Sequence, residues 1–193
     1  MQDKTTSVVL AGVGGQGILL ASEIIAVAAV EAGWQVKTNE VHGMAQRGGS
    51  VLGQIRYGRE VLSPLVAEGT ARVLASFERI EALRCASYLA PGGLAVVSSQ
   101  SVVPVTVSSG NAVYPADAEA RLRAVFPNLL YIDAAALAAK AGSVRAANVV
   151  VLGALSRGLD LPDAAWQAAL EKCVAAKHLA LNRAAFAAGR ECQ

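Results

Sequence analysis

The sequence predicts an α/β domain: three layers, Rossmann-like, with a mixed sheet that contains one β-hairpin and a helical C-terminal quarter. Three observations carry this. Apolar runs of strand length alternate with helix-length patterns as far as Asp133, the pattern of helices layered on a sheet. The run Gly12-Val13-Gly14-Gly15-Gln16-Gly17 lies between the apolar Ser7–Ala11 and a long Ala/Ile/Val stretch, so strand, glycine turn and helix follow one another directly. Ser50–Tyr57 and Glu60–Leu65 flank the short turn Gly58-Arg59, a hairpin signal that requires an antiparallel pair. The length suits one domain over residues 1–193.

Each element has its own warrant. Ser7–Ala11 is a buried strand. A helix follows from Gly17 to Ala32, and Gly33 stops it as a C-cap glycine does. Trp34–Thr38 alternates and reads as the second strand, whereas Asn39–Gly49 is polar, glycine-rich and aperiodic, which predicts a loop. Beyond the hairpin, Ala71–Ser76 is a buried strand. Glu78–Leu89 is a helix with Ile80, Leu83 and Ser87 along one side, and Pro91-Gly92-Gly93 is a turn before the strand Leu94–Ser98. Val102–Val107 reads as extended, broken by Pro104. Asp117–Phe126 is a helix and Leu129–Asp133 a strand. The rest is helical: Ala134–Ala141, Val144–Ser156, Pro162–Ala176 and His178–Ala188, with Pro162 suited to a first helical turn. These last helices cover a sheet face or meet a partner.

Composition narrows the function classes. The chain is 54% hydrophobic and 17% charged, which suits a sizeable core and excludes global disorder. A net charge of +2 and 5% aromatics argue against nucleic acid. No apolar run reaches the ~18–20 residues of a membrane span, because Glu23 and Glu31 interrupt Ile18–Trp34. The start of the chain, with Asp3 and Lys4 and a glycine-broken run, does not read as a signal peptide, so a cytoplasmic location is expected. Cys85, Cys173 and Cys192 are far apart and form no C-x-x-C, which gives neither an iron–sulfur nor a zinc pattern. Cys85 sits in a helical pattern and reads as a small core residue.

Two segments carry candidate chemistry. Gly12, Gly14 and Gly17 fit G-x-G-x-x-G, in which glycines permit the turn, close approach of a ligand and close helix packing. The following helix N-terminus offers amides and partial positive charge to an anion. Gly15 and Gln16 belong to the same candidate loop. The second segment runs from Asn39 to Val51 and supplies His42, Gly43, Gln46, Arg47, Gly48, Gly49 and Ser50. Arg47 suits a carboxylate or phosphate, Gln46 adds amide donors, and the glycines allow close backbone approach. Plainer roles stay open: His42 as an exposed loop histidine, Arg47 as a solvated or salt-bridged charge. Glu40, near the end of the second strand, stands where a ribose-binding acid stands in a dinucleotide module.

Together, G-V-G-G-Q-G at Gly12–Gly17 and H-G-M-A-Q-R-G-G-S-V at His42–Val51 resemble the gamma-type subunits of 2-oxoacid:ferredoxin oxidoreductases, and within them the indolepyruvate branch. Tyr88–Gly93, Asn148–Leu155 and Leu181–Gly189 fit that family's turn, late helix and terminal helix, so the resemblance spans nearly the whole chain. It implies a three-layer α/β domain within a complex that oxidatively decarboxylates a 2-oxoacid to the acyl-coenzyme A. It further implies thiamine diphosphate, Mg and 4Fe-4S clusters on a larger partner subunit, with ferredoxin or a similar acceptor served through that partner. This chain then supplies part of the active-site wall or coenzyme A path, and assembly contacts, and is inactive alone. A stand-alone dinucleotide-binding module and a purely structural subunit are the competing readings.

Overall fold

In the computed structural model, which describes residues 5–43, 48–103, 105–110 and 113–192, the centre is a six-stranded sheet. The elements in chain order begin with β1 (Thr6–Val13), α1 (Ile18–Glu31), β2 (Gln35–His42), β3 (Ser50–Gly58) and β4 (Ala71–Ser76). There follow α2 (Arg79–Arg84), a 3₁₀ turn (Ala86–Tyr88), β5 (Leu89–Ser98), α3 (Val105–Ser108), α4 (Ala118–Val125) and β6 (Leu129–Ile132). The chain ends with α5 (Ala134–Ala141), a 3₁₀ turn (Val144–Ala146), α6 (Ala147–Ser156), α7 (Asp163–Cys173) and α8 (Ala176–Glu191).

The strand order is β2-β3-β1-β4-β5-β6. The last four run parallel to one another, and β3 is antiparallel to both β1 and β2, so the sheet is mixed as the sequence predicts. Alternation along β1 builds both cores. Val8 and Leu10 point to the layer of α1, α5, α6, α7 and α8, while Val9 and Ala11 point to the layer of α2 and α4. The C-terminal helices therefore cover one sheet face. Within that layer α6 and α8 touch backbone to backbone. A Cβ on Gly153 would lie 2.0 Å from the Phe186 carbonyl oxygen, and one on Gly189 would lie 2.0 Å from that of Val150. Trp166 packs on Phe186 at 5.5 Å between ring centres.

Gly33 ends α1 as expected. Its φ is +84°, its N–H donates to Val30 O at 2.9 Å, and the Trp34 N–H reaches Ala29 O at 3.0 Å, the paired bonds of a Schellman ending. β4 and α5 have the predicted bounds, and Asp117 and Asp133 stand at the N-caps of α4 and α5.

Four expectations are corrected. The hairpin is formed by β2 and β3, with no strand at Glu60–Leu65. β3 already has a neighbour on each edge, so that segment has no ladder to join. Side chains meet its backbone and that of the next residue instead: Arg56 Nη1 donates to Ser63 O at 2.9 Å, and Gln54 Oε1 accepts from Val66 N–H at 2.6 Å. Residues 39–42 belong to β2, paired Asn39↔Gln54 through His42↔Val51. Their polarity reflects an exposed edge strand rather than a loop. The helix predicted to reach Leu89 stops at Arg84, because Leu89 is drawn into β5 opposite Ala71. Val105–Ser108 is helical rather than extended, and Pro104 lies outside the described residues.

Candidate functional site

The site lies beyond the C-terminal ends of β1, β4 and β5. The chain leaves β1 into α1 on one face of the sheet and leaves β4 into α2 on the other, so β1 and β4 flank a topological switch point, where open α/β sheets form a crevice.

The first glycine loop is closed upon itself. Gln16 Oε1 accepts from the Val13 N–H at 2.7 Å, and its Nε2 donates to Phe77 O at 2.9 Å and to Gln100 Oε1 at 3.2 Å. One side chain thus ties the end of β1 to the segments that follow β4 and β5. Gly12 is confined by this arrangement, since a Cβ there would lie 2.8 Å from Gln16 Oε1 and 2.9 Å from Ile18 Cδ1. Gly15 is exposed beside the crevice. Gly17 is the N-cap of α1 with φ +76° and ψ 27°, and as glycine it has no side chain to cap the helix. The first intrahelical bond runs from Ala21 N–H to Gly17 O, so the amides of Ile18, Leu19 and Leu20 head the helix.

The two glycine segments meet. Gly14 N–H donates to Gly49 O at 2.8 Å, and Gly48 N–H to Gly14 O at 3.4 Å. Gly43 N–H donates to Ser50 O at 3.2 Å, which closes the neck of the β2–β3 loop. Gln46 and Arg47 lie outside the described residues. His42, exposed at the end of β2, lies beside this junction, with Nδ1 3.3 Å from Gly43 O. Ser50 Oγ donates to Glu81 Oε2 at 2.5 Å.

Two clefts flank the junction. One, of about 180 Å³, has a mixed lining, with Gln16, Ser98, Gln100, Arg145 and Asn148 beside Phe77, Ala134 and Val151. The other, of about 580 Å³, has apolar walls from Ile18, Leu19, Leu20 and Val51, with Gly14, Gly15 and His42 at its rim. Asn148, at the start of α6, closes over Gly17, its Nδ2 3.5 Å from Gly17 O.

Sequence reasoning missed Gln100, Asn148, Glu78, Glu81 and Tyr114. Glu78 caps α2, its Oε2 accepting from the Ile80 and Glu81 amides at 2.6 and 3.0 Å. Glutamate is not among the residues that usually signal an N-cap, so the sequence reads it as the first helical position. Tyr114 donates to Glu78 Oε1 at 2.6 Å; burial and this bond push its hydroxyl up to about 12. Burial also pushes the Cys85 thiol up to about 11. Glu40 does not stand where a ribose-binding acid stands. β3 is interposed, so Glu40 faces Gly53, and Gly53 in turn faces Leu10 of β1. That places Glu40 about two strand spacings, roughly 10 Å, from β1.

The two glycine loops of this open α/β domain thus join at its switch point. Residues 7–192 match the pyruvate ferredoxin/flavodoxin oxidoreductase family, and the chain belongs to it. It is 40% identical to the indolepyruvate oxidoreductase subunit IorB of Thermococcus kodakarensis over 191 residues, 96% of this chain and 95% of that one. Among solved structures it resembles the pyruvate oxidoreductase subunit PORC of Thermotoga maritima, with a TM-score of 0.73, 23% identity and coverage of 98% and 97% of the two chains. It also resembles the 2-oxoglutarate:ferredoxin oxidoreductase of Magnetococcus marinus, solved with 2-oxoglutarate, coenzyme A and succinyl-CoA bound. There the TM-score is 0.72 at 24% identity, and this chain, 98% covered, spans 31% of the larger one. These two structures share its fold. Among the described residues no three His, Cys, Asp or Glu side chains converge as a metal site, and no helix is long and apolar enough to cross a membrane.

Proposed function

We propose that this chain is the smaller subunit of a cytoplasmic 2-oxoacid:ferredoxin oxidoreductase acting on an aryl-pyruvate such as indolepyruvate, and that residues 1–193 form its single domain. The observation that supports this most is the 40% identity to an indolepyruvate oxidoreductase subunit along nearly the full length of both chains. The reaction converts the 2-oxoacid and coenzyme A to the acyl-coenzyme A, CO₂, a proton and two electrons, which pass to ferredoxin or a similar acceptor.

The three cysteines of this chain are separate free thiols, so the fit for a cluster is poor, and the cofactors are assigned to a larger partner. There thiamine diphosphate with Mg supplies the electron sink for decarboxylation, and 4Fe-4S clusters carry the electrons. The contribution of this chain is positional. The joined backbones of Gly14 and Gly49 are the surface on which a ligand or the partner's backbone rests. Ile18, Leu19, Leu20 and Val51 exclude water along the apolar cleft beside it. Gln100 and Asn148 offer amide groups to the smaller cleft, where Gln16 is already committed to Val13, Phe77 and Gln100. Gln46 and Arg47 extend the second segment, Arg47 serving a carboxylate, a phosphate or an acidic partner residue.

Purification of the tagged chain from its native host tests this. The expected companion is a larger chain with bound thiamine diphosphate and iron–sulfur clusters. A chain that purifies alone and binds NAD(H) tightly overturns the proposal in favour of a dinucleotide module.

A further inference from the structure

α2 has six residues, and its buried ones are Glu81 and Ala82. Ala82 and Leu83 of α2 pack in the second core, but one of its two buried positions is a carboxylate, and its polar contacts give it a further use. Glu81, 7% exposed, accepts from Ser50 Oγ at 2.5 Å and from Arg84 Nη1 at 3.2 Å. Ser50 directly follows Gly49, whose carbonyl holds the Gly14 amide. Glu78, 2% exposed, fills its acceptor sites with four donors. Two are the α2 amides, and the others are Tyr114 Oη at 2.6 Å and the Val102 N–H at 3.3 Å. Arg79 completes the link. Its N–H donates to Gln100 O at 3.2 Å, its Nε donates to Tyr114 Oη at 3.0 Å, and its guanidinium lies 5.0 Å from the Tyr114 ring centre. Gln100 in turn accepts from Gln16.

We propose that the first turn of α2 is the positioning element of the site, with Glu81 setting the second glycine segment through Ser50 and Glu78 setting the Gln100 wall through Val102 and Tyr114. Glu81 reaches the segment that opens β3 and Glu78 the segment that follows β5, and neither lines either cleft. They are positioning residues. Their pairing with segments that follow β5 and precede β3 gives the stretch after Ser98, which has no sequence motif, a defined place. The functional consequence rests on the reading that the Gly14–Gly49 junction faces the chemistry of the complex.

The test uses the complex with its partner subunit, the variants Glu81→Ala, Ser50→Ala, Glu78→Gln and Tyr114→Phe, amide hydrogen exchange, and steady-state kinetics with indolepyruvate and coenzyme A varied separately. Glu81→Ala is expected to speed exchange at residues 48–50 and leave 100–103 unchanged, and Glu78→Gln to do the reverse. Each is expected to raise one KM about tenfold, the effect of one charged hydrogen bond, with kcat changed less. Ser50→Ala added to Glu81→Ala should cost nothing further. Should Glu78→Gln fail to fold, Tyr114→Phe, which removes one donor of four, gives a smaller shift in the same direction. Exchange that rises at both segments together, or local loosening with both KM values unchanged, overturns the proposal. A wild-type complex without turnover of any 2-oxoacid defeats the functional reading instead, and the segment-specific exchange then decides the positioning on its own.

Discussion

Replacing Gly17 by alanine probes the α1 entry at one atom. Two costs arise. The backbone is left-handed there, at φ +76°, and an L-residue pays about 1–2 kcal/mol for it. The new Cβ would also lie 2.5 Å from Asn148 Nδ2 and 3.1 Å from its Cγ, so Asn148 must turn away. The two separate experimentally. In Gly17→Ala/Asn148→Ala the contact is gone and only the backbone cost remains. For a domain of this length that cost corresponds to a Tm lower by about 2–8 °C. The assay is thermal and urea unfolding of wild type, both single variants and the double. Gly17→Ala alone is expected to be the least stable relative to its glycine parent, and removal of Asn148 is expected to recover part of the loss. A Gly17→Ala protein that unfolds with wild type refutes the left-handed N-cap. Fully additive losses in the double refute the Asn148 contact.

Three further outcomes are expected. Gly153→Ala and Gly189→Ala place a Cβ 2.0 Å from a facing carbonyl oxygen, so α6 and α8 must part. Each should lower stability by about 1–3 kcal/mol or more, whereas Gly43→Ala, with open space around it, should stay within about 0.5 kcal/mol by urea unfolding. Tyr114 keeps its proton to about 12, above the usual value near 10, so its contribution to stability is complete below pH 10 and is lost as pH rises towards 12. Burial also pushes the Tyr57 hydroxyl up to about 12, so ultraviolet titration of tyrosinate should show a late component that Tyr114→Phe reduces by one tyrosine and leaves to Tyr57. Arg47→Lys keeps the charge and loses the planar fork, so the assembled complex should lose about 1–3 kcal/mol in kcat/KM, with a raised KM naming the ligand that Arg47 serves.

Much of the architecture was legible because it is written in local periodicity and stop signals. β1, the glycine turn and α1 follow from an apolar run meeting Gly12–Gly17, and Gly33 ends the helix by its backbone freedom. What was not legible is decided by neighbours distant in sequence. Asn39–His42 look like a loop because one edge strand there has little to bury, and only β3 reveals the pairing. Glu60–Leu65 looks like a strand until β1 takes the edge it would have used. The site divides the same way. The two glycine segments stand out in the sequence, but their union through Gly14 and Gly49 is a long-range contact. Glu78, Glu81 and Gln100 carry no motif, and Asn148 shows in the sequence only as the start of a late helix, because each owes its place in the site to partners on other elements.

The proposed role is to complete an oxidoreductase whose redox centres lie on another subunit. Anaerobic viologen reduction with indolepyruvate and coenzyme A tests it most directly, measured for the purified chain, for the partner, and for the two recombined. The expected result is an iron-free, inactive chain and turnover restored on recombination. Stoichiometric iron–sulfur in this chain alone, or full turnover by the partner without it, would contradict the account.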